Sequence, residues 1–226
     1  MAGGLEEKIV WLGHAGFSIR ALGLTVYIDP YRTAGGPPAD VILVTHDHYD
    51  HFSREDIERV LGDRTQVVAP ATVAEQVRGP VVSIAPGESV EVGRLAVTAV
   101  AAYNTNKVDS NGNLYHPPDS GGVGYVLNVE GRKIYHSGDT DVIPEMDQAA
   151  GADVALLPVS GTYVMTPVEA AEAARRIAPA LAVPMHWGTI VGSKADAEEF
   201  AKRASVAGSL EVRIPEVGEA IGGHTA

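Results

Sequence analysis

The chain has 226 residues, 45% of them hydrophobic and 20% charged, with 17 Lys+Arg against 29 Asp+Glu and a formal net charge of −12. Those values exclude collagen, coiled coil and long-range disorder as the main architecture, and they disfavour broad binding to a nucleic-acid backbone. The absence of cysteine rules out disulfides, thiolate metal sites and a cysteine nucleophile.

Near the N-terminus the acidic pair Glu6-Glu7 occupies the place where a signal peptide would be basic and then apolar, so a cytoplasmic location is expected. No apolar run approaches the ~20 residues of a membrane span, so no membrane partner is expected. Glycine and proline (25 and 14 residues) punctuate short β-branched segments that read as strands at 9–12, 17–20 and 24–28, with Gly23 at the second turn. Residues 41–44 form an unbroken apolar run, which predicts a strand buried on both faces. Ser53 with Asp56 three residues on predicts a helix start. Further strands are expected at 66–69, 81–84, 89–92, 95–100, 123–129 and 133–136, with Glu130-Gly131 as the hairpin turn between the last two.

The C-terminal third alternates strand and helix. A strand at 153–159 precedes a helix opened by Thr166-Pro167-Val168-Glu169, continuing through 170–178 and stopped by Pro179. A strand at 181–185, a helix at 194–204 capped by Ser193, and a strand at 210–214 follow. Residues 103–122 are the one long irregular segment, and 222–226, with His224, read as a frayed, solvated tail. Many short strands with few helices predict an α+β sandwich of two sheets flanked by helices. No linker rich in Ser, Gly or charge divides the chain, so 1–226 is read as a single domain.

The chemistry concentrates in Thr45-His46-Asp47-His48-Tyr49-Asp50-His51, directly after the buried run. Buried histidines and aspartates carry a desolvation cost and need partners. On an extended segment His46 and His48 point to one side and can share one metal ion. After the chain turns, Asp50 and His51 can hold a second ion nearby.

His46-x-His48-x-Asp50-His51 resembles the signature of the metallo-β-lactamase-fold hydrolases. Trp11-Leu12-Gly13-His14-Ala15-Gly16-Phe17, Ile28-Asp29-Pro30, Ile134-Tyr135-His136-Ser137-Gly138-Asp139-Thr140 and Pro184-Met185-His186-Trp187-Gly188 are similar to blocks of one branch, small single-domain proteins related to ascorbate-6-phosphate lactonase. The resemblance implies a four-layer αββα sandwich with a dinuclear metal site at one edge of the two sheets. It implies His46 and His48 as ligands of the first metal, Asp50 and His51 of the second, Asp139 as the bridging carboxylate and His186 as the last ligand of the second metal. Asp50 and Asp139 are then also the catalytic carboxylates.

One departure from the pattern stands out. The family's third histidine for the first metal falls here at Asn104, a weak neutral ligand. Either His116 swings in from the same irregular segment, or the first position keeps Asn104 or water. His14 is a candidate pocket residue or brace, and His136 is expected to point to the same edge as Asp139. Tyr49, Tyr163 and Trp187 flank ligand positions, and Lys107 is the nearest expected anion partner.

The implied reaction uses a hydroxide bridging two divalent metals, with no G-x-S-x-G elbow and no protein nucleophile. The N/O ligand set suits zinc first, and also manganese or iron. His48 stands where the oxygen-reducing di-iron relatives have glutamate. The expected substrate is a small ester, lactone or phosphoester. The alternatives are a phosphodiesterase or nuclease for small nucleotides, and a non-catalytic metal-binding sensor or scaffold. Binding to nucleic acid polymer is not expected, and a homo-oligomer is compatible with the sequence.

Overall fold

Alternation of side chains along short strands sets the architecture of the computed structural model, which describes residues 4–205 and 210–222. The first sheet contains β1 (Ile9–Gly13), β2 (Gly16–Ala21), β3 (Leu24–Ile28), β4 (Val41–Leu43), β5 (Gln66–Ala69) and β6 (Val81–Ser83), in that spatial order. β1 to β3 form an antiparallel meander, and β3 to β6 run parallel. Val26, Ile28, Val41 and Leu43 enter the main core, whereas Tyr27 and Ile42 face a second core. β4 is thus buried on both sides, as its unbroken apolar run requires. The second core is closed by α1 (Arg54–Val60) and α2 (Ala71–Ala74), through Ile57, Val60 and Val73.

The second sheet contains β7 (Ser89–Val92), β8 (Leu95–Ala101), β9 (Val123–Val129), β10 (Arg132–His136), β11 (Val154–Pro158), β12 (Leu181–Met185) and β13 (Glu211–Val212). Its spatial order runs β13, β12, β11, β10, β9, β8, β7. β7 to β10 pair antiparallel and β10 to β13 parallel. α3 (Pro167–Ile177) packs on β11, and α4 (Lys194–Ser205) on β12 and β13 and against α3. Phe17 and Ile19 from the first sheet join Val97, Tyr125 and Leu127 from the second in the main core. The layers are therefore helix, sheet, sheet, helix, the αββα sandwich that the sequence implies. Among the described residues no helix is long and apolar enough to cross a membrane.

Local chemistry explains the element ends. Glu130 and Gly131 both adopt left-handed backbone (φ 56° and 82°), the two-residue turn that matches strand twist. Ser53 caps α1 by accepting from Asp56 N, and Thr166 and Glu169 form a reciprocal capping box on α3. α3 stops at Ala178 in the left-handed region (φ 51°), one residue before the expected Pro179. At α4 the cap is reversed: the Asp196 carboxylate accepts from both Ser193 N and Ser193 Oγ. α2 and the 3-10 turns at Leu5–Lys8, Pro118–Ser120 and Pro144–Ala149 are too short to show a helical period in sequence. The last strand is shorter than expected, Glu211–Val212. Gly222 is not frayed: its N–H donates to Glu6 O at 3.0 Å. His224 and the rest of the expected tail lie outside the described residues.

One side chain ties the two sheets together beside the metal-ligand motif. Tyr125, fully buried on β9, donates its hydroxyl to Val44 O at 2.7 Å. Tyr125→Phe leaves that carbonyl without its donor and should cost about 1–3 kcal/mol. Urea unfolding of the two proteins checks this; an unchanged midpoint would show that the bond contributes nothing.

Candidate metal centre

A buried carboxylate organises the turn after β4. Asp29, just past β3, is fully buried and has left-handed backbone (φ 43°). Its oxygens accept from Thr45 N at 2.8 Å and Thr45 Oγ1 at 2.6 Å, and meet His51 Nδ1 at 2.7 Å. The contact to Nδ1 fixes the ring and directs His51 Nε2 away from Asp29. Burial by itself would lower the His51 pKa, but the Asp139 and Asp29 carboxylates outweigh it and hold it well above 6.5.

His46, His48 and His116 form one triangle of imidazoles, with ring centroids 4.7, 4.8 and 5.0 Å apart. His48 Nδ1 lies 3.1 Å from both His46 Nε2 and His116 Nε2, and His116 Nε2 lies 3.4 Å from Asp139 Oδ2. Burial keeps His46 well below 6.5 and brings His116 to about 4. Both rings are therefore neutral at pH 7, with a lone pair available. Asn104 is not among the facing donors. Its side-chain oxygen accepts from His116 N at 3.0 Å and meets His116 Nδ1 at 2.9 Å, and its amide donates to Tyr163 O at 2.9 Å. Of the alternatives for this position it is His116 that joins the cluster, and Asn104 braces it.

Asp50, His51, His186 and His14 form the neighbouring group. Asp139 stands between the two groups: Oδ2 is 3.0 Å from His186 Nε2, and Oδ1 is 3.4 Å from His51 Nε2. Burial alone would raise the Asp139 carboxyl, yet the His186 and His51 imidazoles hold it well below the usual carboxylate range. His186, left-handed at φ 60°, is braced by Ser160 Oγ at 3.1 Å from Nδ1. Asp139 reaches this position because β9 passes very close to the turn before it. A Cβ on Gly124 would sit 2.6 Å from His136 O and Ser137 O, so only glycine fits there.

The donor set fits divalent metal ions. Ligand atoms ~2.0–2.1 Å from a tetrahedral zinc stand about 3.3–3.4 Å apart, and the separations of 3.0–3.4 Å around His48, His116 and Asp139 match that spacing. Among the described residues, His51 Nε2, His186 Nε2 and Asp139 Oδ1 are buried and, apart from the close contacts these rings make with Asp139, have no hydrogen-bond partner. Buried polar groups without further partners are costly in a folded protein, and three of them converging here point to a ligand.

Two expectations need correction. His136 lies near the cluster but is neither a ligand nor a cavity residue: Nε2 meets Ala15 O at 2.8 Å and Nδ1 accepts from Gly138 N at 3.2 Å, so the fully buried ring links the two sheets. Lys107 is not free for a substrate anion. Its Nζ lies 2.9 Å from Glu169 Oε2 and 3.1 Å from Asp141 Oδ1. Burial opposes the charge on Glu169, but hydrogen bonds from Thr166 and Lys107 bring its pKa to about 2. Asp141 Oδ2 also accepts from Thr105 N and Asn106 N, so the start of the long loop is anchored. Asp29, Thr45 and Ser160 did not emerge from sequence reasoning; a lone aspartate directly after a strand, in Ile28-Asp29-Pro30, was the one available signal.

A cavity of about 220 Å3 opens over the cluster. His48, Asp50, His116, Asp139 and His186 form its floor, and Tyr49, Tyr115, Tyr163 and Ile190 its walls. Trp187 stays outside the lining, packed against Trp11 with ring centroids 4.8 Å apart and planes tilted by 31°. A larger hollow, about 620 Å3, lies against α1 and contains none of these imidazoles; donor chemistry, not volume, marks the functional site.

Residues 8–186 match the model of the β-lactamase superfamily domain. The chain is 34% identical to the UPF0173 metal-dependent hydrolase of Methanopyrus kandleri, covering 94% of this chain and 98% of that protein. The chain belongs to this family. A UPF0173 metal-dependent hydrolase of Thermoplasma acidophilum is 37% identical, over 93% and 96% of the two chains. Among solved structures, a protein from Parabacteroides distasonis described as a metal-dependent hydrolase superposes with a TM-score of 0.81 at 29% identity, over 92% of each chain. Igni18, a metallo hydrolase of Ignicoccus hospitalis, shares the fold with a TM-score of 0.76 at 23% identity, over 93% and 95%. Membership of a hydrolase family that depends on metal accords with the buried, unpartnered donors.

Two measurements follow from the geometry. Asp29→Asn places an amide against His51 Nδ1 and disturbs the ring's tautomer, so metal affinity should fall by about 10–100-fold. Competition with a chromophoric chelator reads this, and wild-type affinity in the variant would show that Asp29 has no hold on the site. The raised pKa of His51 means that its ring carries a proton at neutral pH in the metal-free protein. An ion arriving at Nε2 displaces that proton, so affinity should rise with pH by about tenfold per unit. Calorimetry at pH 7 in buffers of different ionisation enthalpy should show release of about one proton; heats independent of buffer would contradict it.

Proposed function

We propose that this chain is a dinuclear metal hydrolase acting on a small ester, lactone or phosphoester. The observation that carries the reading is the meeting of two imidazole clusters at Asp139, one of them holding the buried, unpartnered His51 Nε2 and His186 Nε2. His46, His48 and His116 with Asp139 would hold one divalent ion; Asp50, His51 and His186 with Asp139 would hold the other. Zinc suits the all-N/O set best, and manganese or iron also fit. When bound, such ions lower the pKa of a water and stabilise developing negative charge on the substrate.

The remaining work falls to the chain. Asp50 lines the cavity with Oδ2 against His14 Nε2, and Oδ1 accepts no hydrogen bond from the described residues. The His14 hydrogen bond and His51 outweigh burial and keep Asp50 ionised at neutral pH. Asp50 Oδ1 can therefore take the proton of an attacking water and return it to the leaving oxygen. Asp29, Ser160 and Asn104 hold the rings of His51, His186 and His116 at fixed angles, which limits reorganisation during the reaction.

Size and wall chemistry support a small substrate. About 220 Å3 falls below the roughly 300 Å3 at which pockets for drug-sized ligands begin. Tyr115 and Tyr163 meet edge to face at 4.7 Å and offer a flat apolar wall with hydroxyl tips. The cavity lining includes no lysine or arginine among the described residues, which favours a carboxylic ester or lactone over a phosphoester.

A panel of lactones, aryl esters, thioesters and bis-aryl phosphodiesters tests the proposal. At least one class should be hydrolysed, the activity should vanish with chelator and return with metal, and Asp139→Ala should lower kcat/KM by more than the about 100-fold typical of an outer partner. No turnover of any class with the ions bound would overturn the reading.

A further inference from the structure

His14 has the geometry of a ligand rather than of a bystander. It sits in the turn between β1 and β2, fully buried, with left-handed backbone (φ 52°). Its backbone carbonyl accepts from His186 N at 2.8 Å and Trp11 Nε1 at 3.0 Å, so the turn is locked to the strand end that carries His186. Its ring centroid lies 4.0 Å from that of His186 and 5.6 Å from that of His51, which are themselves 5.6 Å apart. Three imidazoles thus surround this position, as His46, His48 and His116 surround the other. His14, Asp50, His51 and His186 each offer one donor atom, all within 4.8 Å of one another. Nε2 approaches Asp50 Oδ2 to 2.8 Å, while Nδ1 is buried with no partner. Ligand atoms of one ion crowd together in this way, sharing a proton while no cation separates them.

We propose that His14 is a direct ligand of the second metal ion, adding a fifth protein donor to Asp50, His51, His186 and Asp139. The inference rests on the reading that those residues hold an ion. Its chemical content is an unequal pair. The first position, with three imidazoles and one carboxylate, suits tetrahedral zinc. The second, with one donor more and space on the cavity side, suits an ion that accepts five or six ligands, such as manganese or iron.

Metal-free protein refilled with cobalt(II) reads coordination number directly, because four-coordinate cobalt absorbs visible light strongly and six-coordinate cobalt weakly. The first equivalent should give the strong bands and the second only weak ones. His14→Gln keeps a donor toward Asp50 but supplies no imidazole. It should bind the second equivalent more than about 100-fold more weakly, beyond what loss of an outer brace costs, with the first equivalent unchanged. His14→Asn, which tolerates the left-handed backbone, should behave alike and guards against misfolding of the glutamine variant. In the wild-type protein, ring 15N shifts during zinc addition should move to ligand values for His14 as well as for His46, His48, His51, His116 and His186. Two equivalents bound with wild-type affinity by His14→Gln, or an unmoved His14 ring, would overturn the proposal alone. A wild-type protein that takes up fewer than two equivalents would overturn the dinuclear reading with it.

Discussion

The centre depends on the burial of Asp29. A carboxylate without water must have its lone pairs occupied, and here the occupants are Thr45 N, Thr45 Oγ1 and His51 Nδ1. That one side chain, placed by β3, stops β4 at a defined point and starts the ligand-bearing turn. It also selects the face that His51 presents. Every other donor is then measured against a ring that cannot rotate.

Backbone strain gathers around the same point. Asp29, His14 and His186 are all non-glycine residues with left-handed backbone, a conformation that costs of order 1–3 kcal/mol where nothing local supports it. The surrounding sandwich offsets that cost with apolar burial on both faces of the sheets. Donors arrive from strand ends on both sheets: the β1–β2 turn, the segments after β4, β10 and β12, and the long loop. A site assembled from distant segments on rigid strands keeps its spacing without help from a ligand.

The layers and most strands were legible because their signals are local. The run Val41–Val44 announces a doubly buried strand, and Thr166 with Glu169 announces a helix. His46, His48, Asp50 and His51 stand together in sequence, so their shared purpose shows without a structure. The braces do not, because their meaning lies in separations of 16 residues for Thr45 and Asp29, 22 for His51 and Asp29, and 26 for Ser160 and His186. The sequence leaves His116, Asn104 and water open at the first position for the same reason: the contact that makes Asn104 a brace of His116 spans 12 residues of an irregular loop. Lys107 looked like a free cation because neither Glu169 nor Asp141 is near it in the chain. His14 reads from the sequence as no more than a pocket residue or brace, because a lone histidine in a turn carries no local pattern.

The Lys107 anchorage has a consequence for traffic. The ammonium is buried between Glu169 and Asp141, and the loop's own amides are committed to Asp141. Lifting that end of the loop would carry the cation away and leave the buried Asp141 carboxylate uncompensated, a cost of several kcal/mol. The loop that delivers His116 is therefore a wall and not a door. Tyr49, 66% exposed, lines the same cavity but is opposite in character: one part of the rim is pinned when the chain folds, and the other carries a side chain that water reaches.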